Sequence, residues 1–334
     1  MKRLKILLLC HHKLIPSKDP NTNFSAFDEH ATEQGVYNEL CKMGHEVEVL
    51  GPKKIDDISE SLENFPADLC FNLMEEFDGD PLMDSHIVSY LEMLKVAYTG
   101  NGPKGLLLAR DKSTSKKILE FDGIPIPAHF VVSLGEELPE EYSEINFPMF
   151  VKSRTEEASL GISQASIVRN KKSLQERVKF IHEKVQSDAI VDEFIDGREL
   201  YLGILGNENL SCFPIYEMDF GLLEKPHQKI ATEKIKWNEE YRKRNRIDII
   251  PAKLSKKLQD EMNEACKKAY RKLELKSYAR FDLRLKSNGD FRIIEANPNP
   301  NIAEDDEFAI AAKAMGIQYS ELLQSICDLA LEEQ

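Results

Sequence analysis

Residues 278–298 constrain this chain more than any other stretch. They read YARFDLRLKSNGDFRIIEANP, two runs rich in β-favouring residues on either side of Asn288-Gly289. That dipeptide between two such runs is a strong hairpin signal, because Asn and Gly tolerate the positive φ that a tight turn requires. Alternate side chains of a strand share a face, so Arg280 and Asp282 point one way together, and so do Glu295 and Asn297 on the partner strand. Pairing through the turn would bring the oxygen-bearing groups of Asp282, Glu295 and Asn297 together. Magnesium takes one or two carboxylates from a protein and fills its remaining positions with water and phosphate oxygens. The plain alternative is a solvent-facing hairpin with scattered charges. Ile293-Ile294 beside Glu295 argues against it, since an acid in apolar surroundings needs a partner.

Three further segments carry chemistry in outline. FPMFVK (147–152) is an apolar strand ending in Lys152, followed by the small-residue run SRTEEASLGI (153–162). A lysine in that place can reach a phosphate while backbone amides cradle other oxygens, although an exposed lysine at a strand end explains the segment equally well. The run is not a Walker loop. Arg110-Asp111-Lys112 opens a helix that Asp111 would cap, and alone it reads as a capped helix with solvated charges. VDEFIDGREL (191–200) ends a strand in acids before a turn. It could offer backbone groups to an adenine and a carboxylate to a ribose, or be an ordinary hairpin connection.

Strand and helix alternate over the first hundred residues. Residues 5–10 (KILLLC) form a buried-strand run, 46–50 and 69–73 read as two more strands, and Val36, Leu40 and Met43 mark a helix between the first two, stopped at Gly44. Another helix fits 84–95, with Ile87, Leu91 and Leu94 on one stripe. This alternation predicts an open parallel α/β sheet. A helix over 112–121 ends at Gly123, and Pro125 and Pro127 forbid its continuation. Strands at 130–132, 149–152 and 189–194 with a helix at 171–186 predict a small α+β unit. Strands at 200–205, 211–216, 278–285 and 291–296 follow, with helices at 255–273, 305–315 and 320–332. The stretch 218–250 is polar and aperiodic. Within it, residues 225–246 hold eight basic residues and three acids, the composition of a basic mobile flap or of a solvated loop. The predicted units are 1–110, 111–195 and 196–334.

A net charge of −14 argues against a nucleic-acid partner or an anionic membrane surface, both of which favour a basic face. The six cysteines are scattered without metal-ligand spacing, which fits reduced thiols in a cytoplasmic protein. The N-terminal apolar run before Cys10 is about half the ~7–15 residues of a signal h-region, and Leu9 is too large for a cleavage site. No run approaches the ~18 apolar residues of a membrane span.

Taken together and in order, these segments resemble the ATP-grasp superfamily, specifically its D-alanine–D-alanine ligase branch. AYTG (97–100) is similar to the segment closing that family's first domain. The resemblance implies an ATP-grasp fold, mixed α/β and α+β, with an N-terminal open parallel (pre-ATP-grasp) domain and a metal site in the C-terminal unit. It implies that Lys112 and Lys152 bind phosphates and that 154–161, including Ser159, covers them. Asp192, Glu193, Phe194 and Ile195 would form the adenine hinge, with Glu199 on the ribose. Lys236 would serve near the phosphates in both binding and catalysis, and Arg280 would stabilise an oxyanion. Asp282, Glu295 and Asn297 would hold two Mg2+ ions, with Mn2+ as an alternative. The implied reaction joins small-molecule carboxylate and amine substrates, such as amino acids, through an acylphosphate, with release of ADP. Relatives of this kind imply a homodimer.

The sequence departs from the family's pattern on the side that faces the amino acids. HHKLIP (11–16) replaces a glycine-rich loop with its substrate-amine glutamate, and Glu29 is the nearest stand-in. Glu157-Ala158-Ser159 stands where Gly-Ser-Ser is usual, Asn297-Pro298-Asn299-Pro300-Asn301 lacks the acceptor-carboxylate serine, and Trp237 replaces a tyrosine. Positions facing ATP and metal are kept. The expectation is therefore a ligase whose substrate pair differs from two D-alanines. An ATP-binding regulator or scaffold without catalysis is the alternative, although retention of Arg280 speaks against it. Other amide-forming ATP-grasp activities stay open. His11 and His12 read as surface histidines or as part of a substrate entrance.

Overall fold

The computed structural model describes residues 3–19, 22, 24–25, 28–155, 162–225 and 228–332. Strand β1 (Lys5–Leu9) has Ile6, Leu7, Leu8 and Leu9 fully buried, which is possible because both of its faces are covered. Helix α1 (Ala31–Lys42) buries Val36 and Leu40 and stops before Gly44, whose φ is +89°. β2 (Glu46–Leu50), α2 (Asp56–Asn64) and β3 (Leu69–Asn72) complete a parallel sheet in the order β2-β1-β3. α2 went unpredicted because Ile58 is its only buried residue, too little for a periodic signal. Helices α3 (Asp84–Met93), α4 (Pro103–Arg110) and α5 (Lys112–Phe121) lead away from the sheet. Asp111 caps α5, accepting from the backbone N–H groups of Ser113 (3.0 Å) and Thr114 (3.1 Å).

The next layer is a four-stranded antiparallel sheet. It comprises β4 (His129–Val132), β5 (Met149–Ser153), β6 (Ile167–Val168) and β7 (Ala189–Glu193), in the order β4-β7-β5-β6. The helix expected over 171–186 is α6 (Lys171–Phe180), continued by a wider π turn at Ile181–Val185.

A larger antiparallel sheet follows. Its members are β8 (Arg198–Leu205), β9 (Ser211–Cys212), β10 (Tyr216–Asp219), β11 (Asp248–Pro251), β12 (Tyr278–Leu285) and β13 (Phe291–Pro298). The order is β11-β10-β8-β12-β13, with β9 on β8. Helices α7 (Glu233–Trp237) and α8 (Glu239–Asn245) lie between β10 and β11. Helix α9 (Lys256–Lys272) lays Met262, Cys266, Ala269 and Tyr270 beneath the sheet, against Leu200, Leu202, Ala279 and Phe281.

The stretch 218–250, polar and aperiodic in sequence, nevertheless carries regular structure. Its described residues form β10, α7, α8 and β11 around a small core of Met218, Phe220, Leu223, Ile235 and Ile247 packed on Tyr201. Their irregular spacing matches neither helix nor strand period. They meet only because β10 and β11 pair across a long insertion, with Met218 opposite Ile249.

The chain ends by returning to its first sheet. Helices α10 (Glu307–Ala314) and α11 (Tyr319–Leu331) share one core with Leu4, Ile6, Leu8, Val36, Leu69 and Phe71 through Phe308, Leu322, Leu323 and Ile326. No helix among the described residues is long and apolar enough to cross a membrane.

Gly197, in the turn between β7 and β8, sits against the hairpin: a Cβ there would lie 2.1 Å from the Leu285 carbonyl oxygen. Gly197→Ala must therefore shift backbone. It should lower the thermal midpoint by about 5 °C, on the scale of about 2 kcal/mol. A calorimetric midpoint unchanged within about one degree would contradict this close approach.

Candidate active site

The predicted hairpin forms with one irregularity that matters. Arg280 lies opposite Asn297 and Asp282 opposite Glu295, while Leu283 pairs with Ile293, so Ile294 is an extra residue on β13. Without that bulge Ile293 would share a face with Glu295 and Asn297. With it, Ile293 turns into the core beside Leu283 and Phe281, and the two polar residues stay on the open face. The connection spans 286–290, where Gly289 takes φ +95°.

Two carboxylates placed directly opposite each other repel. Cations from three other positions offset this. Arg280 Nε lies 2.8 Å from Asp282 Oδ1. Lys112 Nζ, at the start of α5, is 2.9 Å from Glu295 Oε1, and Lys152 Nζ, at the end of β5, is 3.5 Å from Oε2. Both lysine side chains are only 4% exposed. Burial pushes the Glu295 carboxyl upward, but Lys112, Lys152 and the more distant Lys236 outweigh it and hold it well below the usual carboxylate range. Burial likewise opposes the charge on Lys152, and Glu295 and Asp192 overcome it, raising its pKa.

The two lysines are held in register by a staple. Asp111 receives Arg154 Nε (2.9 Å) and Nη2 (2.6 Å), and Arg154 Nη1 reaches Asp188 Oδ2 at 2.9 Å. The Lys112 N–H also donates to the Arg154 carbonyl at 3.2 Å. Asp111 thus caps the helix that starts at Lys112 and grips the chain two residues after Lys152.

A narrow cleft of about 90 Å³ opens between the two antiparallel sheets. Asp192, Glu193, Phe194 and Ile195 line it from the end of β7, Glu199 from the start of β8, Lys236 from α7, and Asp282 and Glu295 from the hairpin. Tyr201 Oη donates to Glu199 at 3.0 Å, and Lys286 Nζ lies 3.1 Å from Glu193. Lys112 and Arg280 join the cleft through Glu295 and Asp282. Ser159 lies outside the described residues, as does most of the loop that would cover the phosphates. His11 and Glu29 line a separate cavity, described below.

Several contributors escaped the sequence reading. Lys116 is buried with its Nζ 3.0 Å from Asp192, one helical turn beyond Lys112 on the same face; that i, i+4 spacing was the available signal. Burial lowers its pKa. Arg284 follows the alternation of Arg280 and Asp282, lies 3.6 Å from Glu199, and donates to the carbonyls of Gly197 (2.8 Å) and Lys229 (2.7 Å). Glu307, at the start of α10, is 3.6 Å from Arg280. Burial raises it, but a hydrogen bond with Asp306 and the Arg280 charge hold it below the usual carboxylate range. No local pattern links residue 307 to the hairpin.

Among the described residues, no group of three or more Asp, Glu, His or Cys side chains is placed to hold a metal alone. Asp282 and Glu295 supply two carboxylates, and the buried Nδ2 of Asn297 has no partner among the described residues. This sparse hard-oxygen set fits Mg2+ that shares phosphate oxygens rather than a closed protein cage.

The profile of the family described as "D-ala D-ala ligase C-terminus" matches residues 118–328. The protein y4sG of Sinorhizobium fredii is 32% identical over 78% of this chain and 74% of its own length. The D-alanine–D-alanine ligase of Pelotomaculum thermopropionicum is 28% identical over 90% of this chain and 91% of its own. Among solved structures, the D-alanine–D-alanine ligase of Bacillus anthracis complexed with ATP superposes with a TM-score of 0.76 at 22% identity, covering 99% of this chain and 98% of that one. At that identity the likeness speaks for the fold.

Glu295→Gln removes the counter-charge of two buried lysines, a loss on the order of 3–5 kcal/mol at neutral pH. Because the folded carboxyl is held below its unfolded value, the wild-type contribution is present above about pH 4.3 and is lost as pH falls further. The gap in thermal midpoint between wild type and variant should be widest near pH 7 and shrink below about pH 4. A gap of constant size from pH 8 to pH 3 would contradict the assigned pairing.

Proposed function

Because the chain belongs to the D-alanine–D-alanine ligase family of ATP-grasp enzymes, we propose that it is an ADP-forming carboxylate–amine ligase working through an acylphosphate, with an amino-acid site altered from one that takes two D-alanines. The convergence of Lys112 and Lys152 on Glu295, opposite Asp282 in one cleft, carries this reading. Cations and hard oxygens alternate there as a triphosphate and its metal require.

The adenine would lie against Phe194 and Ile195, with the backbone of 193–195 facing its edge and Glu199 meeting the ribose. Lys112, Lys152 and Lys236 would hold the phosphate oxygens, and Asp282, Glu295 and Asn297 would hold Mg2+. We assign two ions, with Mn2+ as an alternative. Bound there, the metal offsets the charge of the phosphates and helps align the γ-phosphoryl group. Phosphoryl transfer needs positioning and neutralisation more than covalent help, which suits a site built of lysines on rigid elements.

In the first step a carboxylate oxygen of one substrate attacks the γ-phosphorus, the bond to the β–γ bridging oxygen breaks, and ADP leaves. The amine nitrogen of the second substrate then attacks the acyl carbon. Arg280, held between Asp282 and Glu307, faces the negative oxygen of the tetrahedral intermediate. Collapse expels phosphate, and the nitrogen gives up its extra proton. Residues 154–161, with Ser159, would exclude water that would otherwise hydrolyse the acylphosphate. The same proposal includes unit boundaries near residues 110 and 195, a homodimer and a cytoplasmic setting. The buried oxyanion arginine disfavours a purely regulatory ATP-binding role, which has no use for it.

ADP release from Mg·ATP, measured over a panel of carboxylate and amine pairs, tests this reading. Turnover is expected with a pair other than two D-alanines. Glu295→Gln should cut kcat by more than about 100-fold, as losing a transition-state contact does, while far-UV circular dichroism stays unchanged. Turnover confined to D-alanine would refute the altered site, and unimpaired turnover in Glu295→Gln would refute the metal assignment.

A further inference from the structure

The cavity of about 470 Å³ beyond the C-terminal ends of β1 and β3 is lined by more acids than cations among the described residues. Asp28, Glu29, Glu33, Glu75 and Glu76 line it, against Lys13 and His11 alone among its cationic side chains. His11 Nε2 is engaged by Glu76 at 3.0 Å, and Asp28 by His30 at 3.0 Å. Glu33, in the first turn of α1, is 7% exposed. Among the described residues its one hydrogen bond comes from its own backbone N–H and no lysine, arginine or histidine forms an ion pair with it, although the charge of His30 acts on it through space. Burial, joined by the charges of Glu75 and Glu29, pushes its carboxyl up to about 7. Such a group weakens the fold at neutral pH, so packing gives no reason for it.

An independent observation concerns Asn72, the last residue of β3. It is 1% exposed and lines the same cavity. Its Oδ1 accepts from the Met74 N–H at 3.2 Å, whereas its Nδ2 has no partner among the described residues. One wall therefore asks for a cation and another for an oxygen acceptor. The cavity also lies near the proposed reaction centre. Tyr278 lines it, and Arg280 and Asp282 follow on the same strand face at about 7 Å per pair of residues.

We propose that this cavity binds a basic amino acid, a molecule with a carboxylate, an α-amine and a second cationic nitrogen on an aliphatic side chain, as one of the two substrates. Glu33 and Glu29 take the side-chain cation, and Asn72 donates to a carboxylate oxygen. Assigning the occupant as a substrate rests on the ligase reading; its recognition does not.

Titration calorimetry on the full chain, with and without Mg2+ and a non-hydrolysable ATP analogue, tests the proposal. The probes are lysine and ornithine of both hands, alanine, norleucine and 1,4-diaminobutane. A basic amino acid should bind at least tenfold more tightly than norleucine and than the diamine. Glu33→Gln should reduce its affinity to that of norleucine while folding with a thermal midpoint no lower than wild type, since a buried uncompensated charge is removed. Should that variant fail to fold, the exposed Glu29→Gln serves, with a loss of at least threefold expected. Equal binding of norleucine, equal binding of the diamine, or unchanged affinity in the folded variants would overturn the proposal. Binding of a basic amino acid without ADP release across the panel of carboxylate and amine pairs would leave its recognition standing and refute the ligase, and with it the substrate assignment. ADP release with neutral amino acids and no binding of basic ones would do the reverse.

Discussion

The contact between Glu295 and the two lysines Lys112 and Lys152 joins a hairpin strand, the start of a helix and the end of a strand in another sheet. Each partner is costly to bury alone, and only their mutual geometry makes the cluster tolerable. The rest of the architecture serves that geometry. The bulge at Ile294 keeps Glu295 on the open face while Ile293 fills the core. The bridge from Asp111 through Arg154 to Asp188 fixes the helix start relative to the strand end. The return of α10 places Glu307 beside Arg280, so a residue near the end of the chain orients one in the hairpin.

This arrangement would also let a chain of net charge −14 receive the anionic nucleotide proposed above. Its global field is unfavourable, yet Lys112, Lys116, Lys152 and Lys236 are gathered at one cleft. The acids interleaved with them keep the cluster near neutrality. On the proposed reading, the lysines would pass from carboxylate to phosphate oxygens and the carboxylates would turn from lysine to Mg2+, so that charge would be exchanged within the cleft rather than accumulated. The second cavity has the opposite character: its acids outnumber its cations, and Glu33 has no ion-pair partner among the described residues.

Much of this was legible in the sequence because it is local. The hairpin follows from Asn288-Gly289 and two alternating runs, and the shared face of Arg280, Asp282, Glu295 and Asn297 follows from strand parity. Asp111 as a helix cap was equally plain. The order of the segments carried the family resemblance, which the profile match over 118–328 bears out. What escaped depends on distant pairing. The small core around Met218 and Ile235 exists only because β10 meets β11, and nothing near Glu307 announces a role. A bulge is invisible to alternation, since it breaks the very pattern from which faces are read. Lys116 was within reach through its spacing from Lys112, but its burial against Asp192 came only with the fold.

A crystal structure with Mg2+ and a non-hydrolysable ATP analogue tests the central claim most directly. Adenine is expected against Phe194 and Ile195, with phosphate oxygens in contact with Lys112 and Lys152 and metal–oxygen distances of about 2.0–2.1 Å to Glu295 and Asp282 or Asn297. A nucleotide bound elsewhere, or a metal bound without these side chains while Glu295 stays paired with its lysines, would contradict it.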